Sequence, residues 1–153
     1  MKLLVKTVII VYSFLLLSCI KEEASVSLSP FEQDVFDRIN AYRQLNNLPE
    51  FKLSLPVQEQ AEKHALAMAN GDVPFSNDGL SDRALAIKTA IRGSEVVENI
   101  AKEISNSSEV VIFWRQDALS EAKMLGNFNL AGISSKQSQT GIYYHVLILF
   151  RAN

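Results

Sequence analysis

The stretch that decides the fold class is residues 142–150, IYYHVLILF, close to the end of the chain. It is an almost unbroken run of β-branched, aromatic and leucine residues, interrupted only by His145. Such a run is typical of a strand that is covered on both faces, because both sets of alternating side chains are apolar. We therefore predict a central strand of a sheet, with structure packed against each side.

The chain that precedes this strand changes in character along its length. Residues 129–133, NLAGI, predict a second strand, and residues 134–141 form a polar turn between the two. Further upstream, apolar residues recur at helical spacing. They predict four helices, which begin near Ser29, Ser54, Ser81 and Ser107 and extend to about residues 45, 70, 91 and 114. Helices that precede the strands, without β-α-β alternation, indicate an α+β fold.

The first and third helices have recognisable N-terminal caps. Ser29 as N-cap, Pro30 in the first turn and Glu32 three residues after the cap predict a capping box. Ser81 is predicted to cap the third helix.

The first 23 residues have the layout of a secretory signal. Lys2 and Lys6 precede an apolar run over residues 7–17, which is shorter than the roughly 20 residues of a membrane span. A buried N-terminal helix is the alternative, but no polar face interrupts the run.

Leu16-Leu17-Ser18-Cys19 resembles a bacterial lipobox, in which the cysteine becomes the first mature residue and carries a lipid. Cys19 is the only cysteine of the chain, so an anchor explains it better than a disulfide.

The residues after Cys19 bear on location. Ile20 follows the cysteine, so retention at the inner membrane is not indicated. Lys21-Glu22-Glu23 resembles a surface-export tag of some Gram-negative lipoproteins, and an ordinary charged linker is the alternative. We expect a cell-envelope lipoprotein at the outer membrane, with exposure at the cell surface if the tag interpretation holds.

These features divide the chain into a signal peptide (1–18), a lipidated tether (19–29) and one domain (30–153). The 135 residues left after the signal suffice for a single core. The signal contains two of the 15 basic side chains and no acids, so 13 basic and 17 acidic side chains remain. An acidic balance without a basic run argues against nucleic acid as a partner.

A set of short motifs follows in a characteristic order between residues 31 and 151. The set comprises Asn40-Ala-Tyr-Arg43, Ala61-x-x-His64-Ala65-x-x-Met68-Ala69, Gly71, Phe75-Ser76, Asp78-Gly79, Asp82-Arg83, Glu98-Asn99-Ile100-Ala101, Trp114, Gly132 and Phe150. In this order and spacing the chain resembles the bacterial branch of the CAP superfamily, also called the SCP or PR-1-like domain. The resemblance implies a three-layer α-β-α sandwich with a cleft.

In many members of that superfamily the cleft holds two histidines and two acids, a set able to bind zinc or another divalent cation. Carried over by motif, the acids correspond to Glu98 and Asp117, and the histidine positions hold Asn77 and Ser120. The resemblance thus predicts a cleft of Asn77, Glu98, Asp117 and Ser120. Amide and hydroxyl oxygens are poor zinc ligands, so we expect no zinc and no other cofactor. For the remaining histidines, His64 and His145, hydrogen-bonded packing roles are expected.

Glu98 lies in an otherwise apolar run, VVENIA (96–101). A buried carboxylate needs partners, and the amide of Asn77 is predicted to donate to it. The alternative is a solvated acid on a loop. Arg83 is expected to hold Asp78 or Asp82 in the same turn, and an ordinary exposed ion pair is the alternative.

Three functions are compatible with these features. The leading hypothesis is a non-enzymatic, lipid-anchored module that binds a ligand or protein partner at the cell envelope. A metal-dependent hydrolase using Glu98 and Asp117, with oxygen ligands around a cation, is the alternative. A purely structural envelope protein is the third.

Overall fold

The structure, a computed structural model, describes residues 25–153. The predicted signal peptide and Cys19 lie outside the described residues. The helices are α1 Pro30–Leu45, α2 Leu55–Asn70, α3 Leu80–Ala90, α4 Ser107–Gln116 and α5 Ala118–Met124. The strands are β1 Lys52–Leu53, β2 Gly93–Lys102, β3 Leu130–Gln137 and β4 Tyr143–Ala152.

The four strands form one sheet in the order β1-β3-β4-β2. β4 is antiparallel to both of its neighbours, and β1 is parallel to β3. All residues of β4 from His145 to Phe150 are buried, as expected for a strand covered on both faces. The α+β fold and the central position of the last strand are therefore confirmed.

The alternation of side chains along the strands assigns the helices to two layers. On one face, Val146, Ile148 and Phe150 pack in a core with residues of α2 and α3. On the other face, Leu147 and Leu149 pack in a second core with residues of α1, α4 and α5. Since successive side chains of a strand point to opposite faces, these two cores define a three-layer α-β-α sandwich.

The start of α1 is capped as its sequence predicts. Ser29 and Glu32 form a capping box, with the Ser29 side chain accepting from the Glu32 N–H and the Glu32 carboxylate accepting from Ser29. The second Glu32 oxygen accepts from the backbone N–H of Ser135, 2.8 Å away on β3. One carboxylate thus caps the helix and joins it to the sheet.

Two polar residues of the Asn40-Ala-Tyr-Arg43 motif bind the C-terminal half of α1 to neighbouring segments. The Asn40 amide exchanges hydrogen bonds with both backbone groups of Phe51. Arg43 is 1% exposed, and it donates to the carbonyls of Pro49 and Met124 while its guanidinium stacks 3.8 Å from the Phe51 ring centre. The motif has a structural role here.

Gly132 on β3 allows α2 to lie directly against the sheet. A Cβ atom at this position would lie 2.6 Å from the backbone of Val57 and Gln58. The close approach of α2 to β3 also lets the Gln58 side chain exchange hydrogen bonds with the backbone of Ile133. Any side chain at residue 132 would push α2 away from the sheet.

Several predicted boundaries were wrong. α3 begins at Leu80 after Gly79, and Ser81 lies inside the helix without capping it. β3 extends to Gln137, beyond the predicted end at residue 133, because its polar half still pairs with β4 through the backbone. α5 was not predicted.

β2 was also missed, and it matters most for the site. It is a ten-residue strand that pairs with β4 along its length. Glu98 therefore lies on a strand, and its placement on a solvated loop is excluded. Among residues 25–153, no helix combines the length and apolar character that crossing a membrane would require.

Candidate functional site

Strand β2 places Glu98 inside the protein. Val96 and Ile100, two residues to either side, pack in the core shared with α2 and α3, so Glu98 faces the same layer. Its side chain has no exposed surface. A buried carboxylate of this kind is stable only with partners that match its charge and hydrogen-bonding capacity.

Arg83 supplies the opposite charge. Its Nε lies 2.9 Å from Glu98 Oε2 and its Nη2 lies 2.7 Å from Glu98 Oε1, which is a bidentate ion pair. The Arg83 side chain is 11% exposed. The expected pairing of Arg83 with the carboxylate of Asp78 or Asp82 was wrong, because the guanidinium extends to Glu98 on β2. Of the two aspartates, it bonds only to Asp78, and there to the backbone oxygen.

Asn77 completes the set around Glu98. Its Nδ2 donates to Glu98 Oε1 over 2.9 Å, which is the contact expected from the sequence. A carboxylate at position 77 could not supply this contact, because an ionised carboxylate only accepts hydrogen bonds. The two oxygens of Glu98 are thus engaged by three donors from the segment between α2 and α3 and from α3 itself.

His64 on α2 also contacts the segment between α2 and α3. Its Nε2 lies 3.0 Å from the backbone oxygen of Ser76 and 3.7 Å from Glu98 Oε1. Burial lowers the pKa of His64, and the positive charge of Arg83 adds to this effect, while Glu98 opposes it. A neutral ring that donates to Ser76 accounts for the geometry, so His64 and Glu98 do not form an ion pair.

Asp117 and Ser120 lie in the other layer. Asp117 is the N-cap of α5, and its carboxylate accepts from the backbone N–H of Ser120 at 2.8 Å. This hydrogen bonding lowers the pKa of the exposed Asp117 carboxyl. The backbone oxygen of Ser120 accepts from Asn99, which points to the face of β2 opposite to Glu98.

The structure therefore brings Asn77 and Glu98 together and separates Asp117 and Ser120 from them by the sheet. The cleft residues that the resemblance implied do not converge on one point. Because adjacent residues of β2 point to opposite faces, histidines at positions 77 and 120 would not share a ligand sphere with Glu98.

The residues present do not fit the two-histidine metal site of the superfamily. Both Glu98 oxygens are engaged by Arg83 and Asn77, so the carboxylate has a cationic partner already. Within residues 25–153, no cluster of three or more His, Cys, Asp or Glu side chains is arranged to hold a metal ion.

His145 forms another buried polar cluster. Its Nδ1 lies 2.8 Å from Ser135 Oγ and its Nε2 lies 2.8 Å from the backbone oxygen of Ile104. Burial lowers the pKa of this ring. Although a serine bonded to a histidine is the beginning of a nucleophilic dyad, the His145 ring is fully buried and stacks with Phe31 and Tyr143. The hydroxyl and the ring act in packing.

The sequence interpretation missed Arg83 as the partner of Glu98. One signal could have indicated that Glu98 needs a cation, though not which one. Apolar residues flank Glu98 and Asn99 on both sides in VVENIA (96–101), so a strand covered on both faces here must bury both polar side chains. A buried acid then requires a cation within reach.

Comparison with known proteins agrees with this architecture. The family model described as "CAP: Cysteine-rich secretory protein family" matches residues 36–150. No curated protein sequence matches the chain. An outer surface protein from Borrelia burgdorferi has a similar structure, with a TM-score of 0.70 and 14% identity over 84% of this chain and 97% of that protein.

Two further solved structures are similar to this chain. An extracellular protein containing an SCP domain, from Bacillus anthracis, has a TM-score of 0.65 and 22% identity over 83% of this chain and 45% of its own. A cysteine-rich secretory protein from Staphylococcus aureus has a TM-score of 0.66 and 16% identity over 79% of this chain and 38% of its own. The present chain thus spans less than half of each of these two proteins. At these identities the likeness concerns the fold, but the family model covers most of the sequence, and the chain belongs to the CAP family.

Proposed function

We propose that this protein is a lipid-anchored, non-enzymatic CAP module that binds a ligand or protein partner at the cell envelope. The state of Glu98 is the observation on which the proposal rests. A general base or a cation ligand needs a free oxygen that faces a substrate, whereas both oxygens of Glu98 are engaged and the side chain is buried.

The hydrolase alternative needs Glu98 and Asp117 to act on one substrate. Their side chains belong to different layers of the sandwich, and Asp117 is engaged in capping α5. A cation bound between them would have to displace Arg83 and cross the sheet. No geometric feature of the site favours this alternative.

The proposed location at the cell envelope rests on the lipobox-like sequence before Cys19 and on the names of structural relatives. One relative is described as an outer surface protein and another as extracellular. Both descriptions are compatible with a domain that functions outside the cytoplasm, attached through a lipid on Cys19.

A thermal-unfolding experiment tests the non-enzymatic half of the proposal. We expect the melting temperature of the full chain to remain unchanged when stoichiometric zinc, calcium or magnesium is added, because native-state binding would raise it in proportion to affinity. A rise of many degrees, abolished by Glu98→Gln, would instead indicate a functional cation site and would support the hydrolase. An Asp117→Asn variant serves as a control, since Asp117 lies in the other layer.

A further inference from the structure

A cleft on the α2 side of the sheet has the features of a ligand site. It has a volume of about 360 Å³ and lies between the end of α2 and the turn that joins β3 to β4. Its principal lining residues are Met68 and Asn70 of α2, Ser138, Gln139 and Thr140 of the turn, and Tyr144 of β4. The cleft is distinct from the Glu98 cluster, none of whose members lines it.

The chemistry of this cleft is uncharged and rich in hydrogen-bonding groups. None of its lining side chains is ionic at neutral pH, and five of them end in an amide or a hydroxyl. Ser138 and Thr140 bond to one another within the turn. Among residues 25–153, the amides of Asn70 and Gln139 and the hydroxyl of Tyr144 have no protein partner, so they remain available to a ligand.

Tyr144, the one aromatic among the described residues that line the cleft, has Phe75 as an aromatic neighbour outside the lining. The ring of Phe75 lies 6.3 Å from that of Tyr144, at an interplanar angle of 58°, and is 39% exposed. The Phe75 position depends on the turn that follows it, because His64 holds the backbone oxygen of Ser76 and Glu98 holds Asn77. The buried Glu98 cluster therefore holds the segment that carries Phe75, the aromatic neighbour of Tyr144.

We propose that this cleft binds a neutral glycan, a ligand class that would give the binding module of the preceding section its target. A sugar ring has hydroxyls that match uncharged amides and hydroxyls, and apolar C–H faces that pack against an aromatic ring. The absence of charge on the lining disfavours an anionic ligand. Addition of a peptide strand is disfavoured too, because β4 is paired on both sides and the outer edge of β3 is bonded by the side chains of Gln58, at Ile133, and Glu32, at Ser135.

Calorimetric titration of the full chain, in a detergent without a sugar headgroup, tests this inference. The probes are the N-acetylglucosamine trimer, which carries acetamido groups, and maltotriose, which carries hydroxyls alone. Binding of either trimer is expected. Gln139→Ala and Tyr144→Phe should each weaken it about three- to tenfold, the loss for one neutral hydrogen bond. Phe113→Ala, an exposed aromatic on α4, should leave it unchanged.

Each outcome has a consequence. If neither trimer binds at concentrations of about 10 mM, a weak limit for a specific site, or if binding is insensitive to both cleft variants, the glycan site is overturned. Binding that Phe113→Ala weakens and the cleft variants do not would retain a binding module and reject this cleft. The proposed function fails separately, through a functional cation site at Glu98, which these sugar titrations do not measure.

Discussion

At the scale of single residues, Glu98 and the two histidines illustrate different ways of burying an ionisable group. Glu98 has a bidentate guanidinium beside it. His64 and His145 are instead expected to be neutral, since burial lowers the pKa of both rings. Removing the guanidinium beside Glu98 therefore leaves an isolated buried charge. Replacing either histidine instead removes a ring that acid would otherwise protonate.

Arg83→Ala is predicted to destabilise the domain strongly. It leaves the Glu98 carboxylate buried without its cation, a change that typically costs about 3–5 kcal/mol in the free energy of unfolding. Arg38→Ala is the matched control, because Arg38 forms an exposed ion pair with Asp34 in which both side chains are nearly half exposed. That variant should change stability little, since water and salt screen exposed pairs. Urea unfolding measures both, and similar small losses would mean that Arg83 does not stabilise Glu98.

The buried histidines predict a loss of stability in mild acid. Since burial lowers both pKa values in the fold, the unfolded chain binds more protons just below pH 6.5, and stability rises with pH in this range. The full contribution is present above about pH 6.5, the ordinary histidine pKa, and declines as the pH falls, by up to about 1.4 kcal/mol per pH unit for each histidine.

Urea unfolding at pH 7.5 and at pH 5.5 measures this dependence, and His145→Gln should reduce it because one of the two titrating rings is gone. The comparison concerns the change with pH, so it stays informative if the variant is less stable overall. A wild-type protein equally stable at both pH values would contradict the expectation, as would a variant with an undiminished pH dependence.

At the scale of elements, the close contact between α2 and β3 depends on Gly132. Gly132→Ala is predicted to destabilise the domain by about 1–3 kcal/mol, the usual effect of overfilling a packed interior. Because the atoms that a Cβ would meet belong to the Val57 and Gln58 backbone, adding Val57→Ala should not restore stability.

Gly71→Ala provides the comparison for that variant. Gly71 has a φ of +79° and open space around its Cα, so alanine there encounters backbone strain alone, about 1 kcal/mol. Thermal unfolding of the three variants separates the two causes. Rescue of Gly132→Ala by Val57→Ala would show that the contact is made by side chains.

The elements also show where sequence reasoning succeeds and where it stops. The strand at residues 142–150 and the capping box at Ser29 were predictable, because each depends only on residues that are close together in the sequence. β2 was not, since Glu98 and Asn99 interrupt its apolar pattern and each finds its partner in a distant helix or turn. The contact of Asn77 with Glu98 was inferred through the family resemblance, while the Arg83 pair depends on a tertiary approach that no local spacing encodes.

At the scale of the whole molecule, the two cores and the site that the structure describes within residues 25–153 use residues from Leu28 onward. Residues 25–29 belong to no helix or strand and lead to the cap of α1. The stretch from residue 19 to residue 29 can span at most about 35 Å. A lipid on Cys19 would therefore keep the domain close to the membrane surface.

Cys19→Ala is predicted to move the protein from the membrane fraction to the soluble fraction, or to leave it as an uncleaved precursor, because alanine has no thiol to form the thioether. Ser18→Ala is the matched control: it keeps a small residue before the cysteine and should stay anchored. Fractionation with metabolic lipid labelling measures both variants. Since the cores described within residues 25–153 begin at Leu28, the soluble Cys19→Ala domain should unfold at the wild-type urea concentration. Lipid label retained by Cys19→Ala would show that the anchor lies elsewhere in the chain.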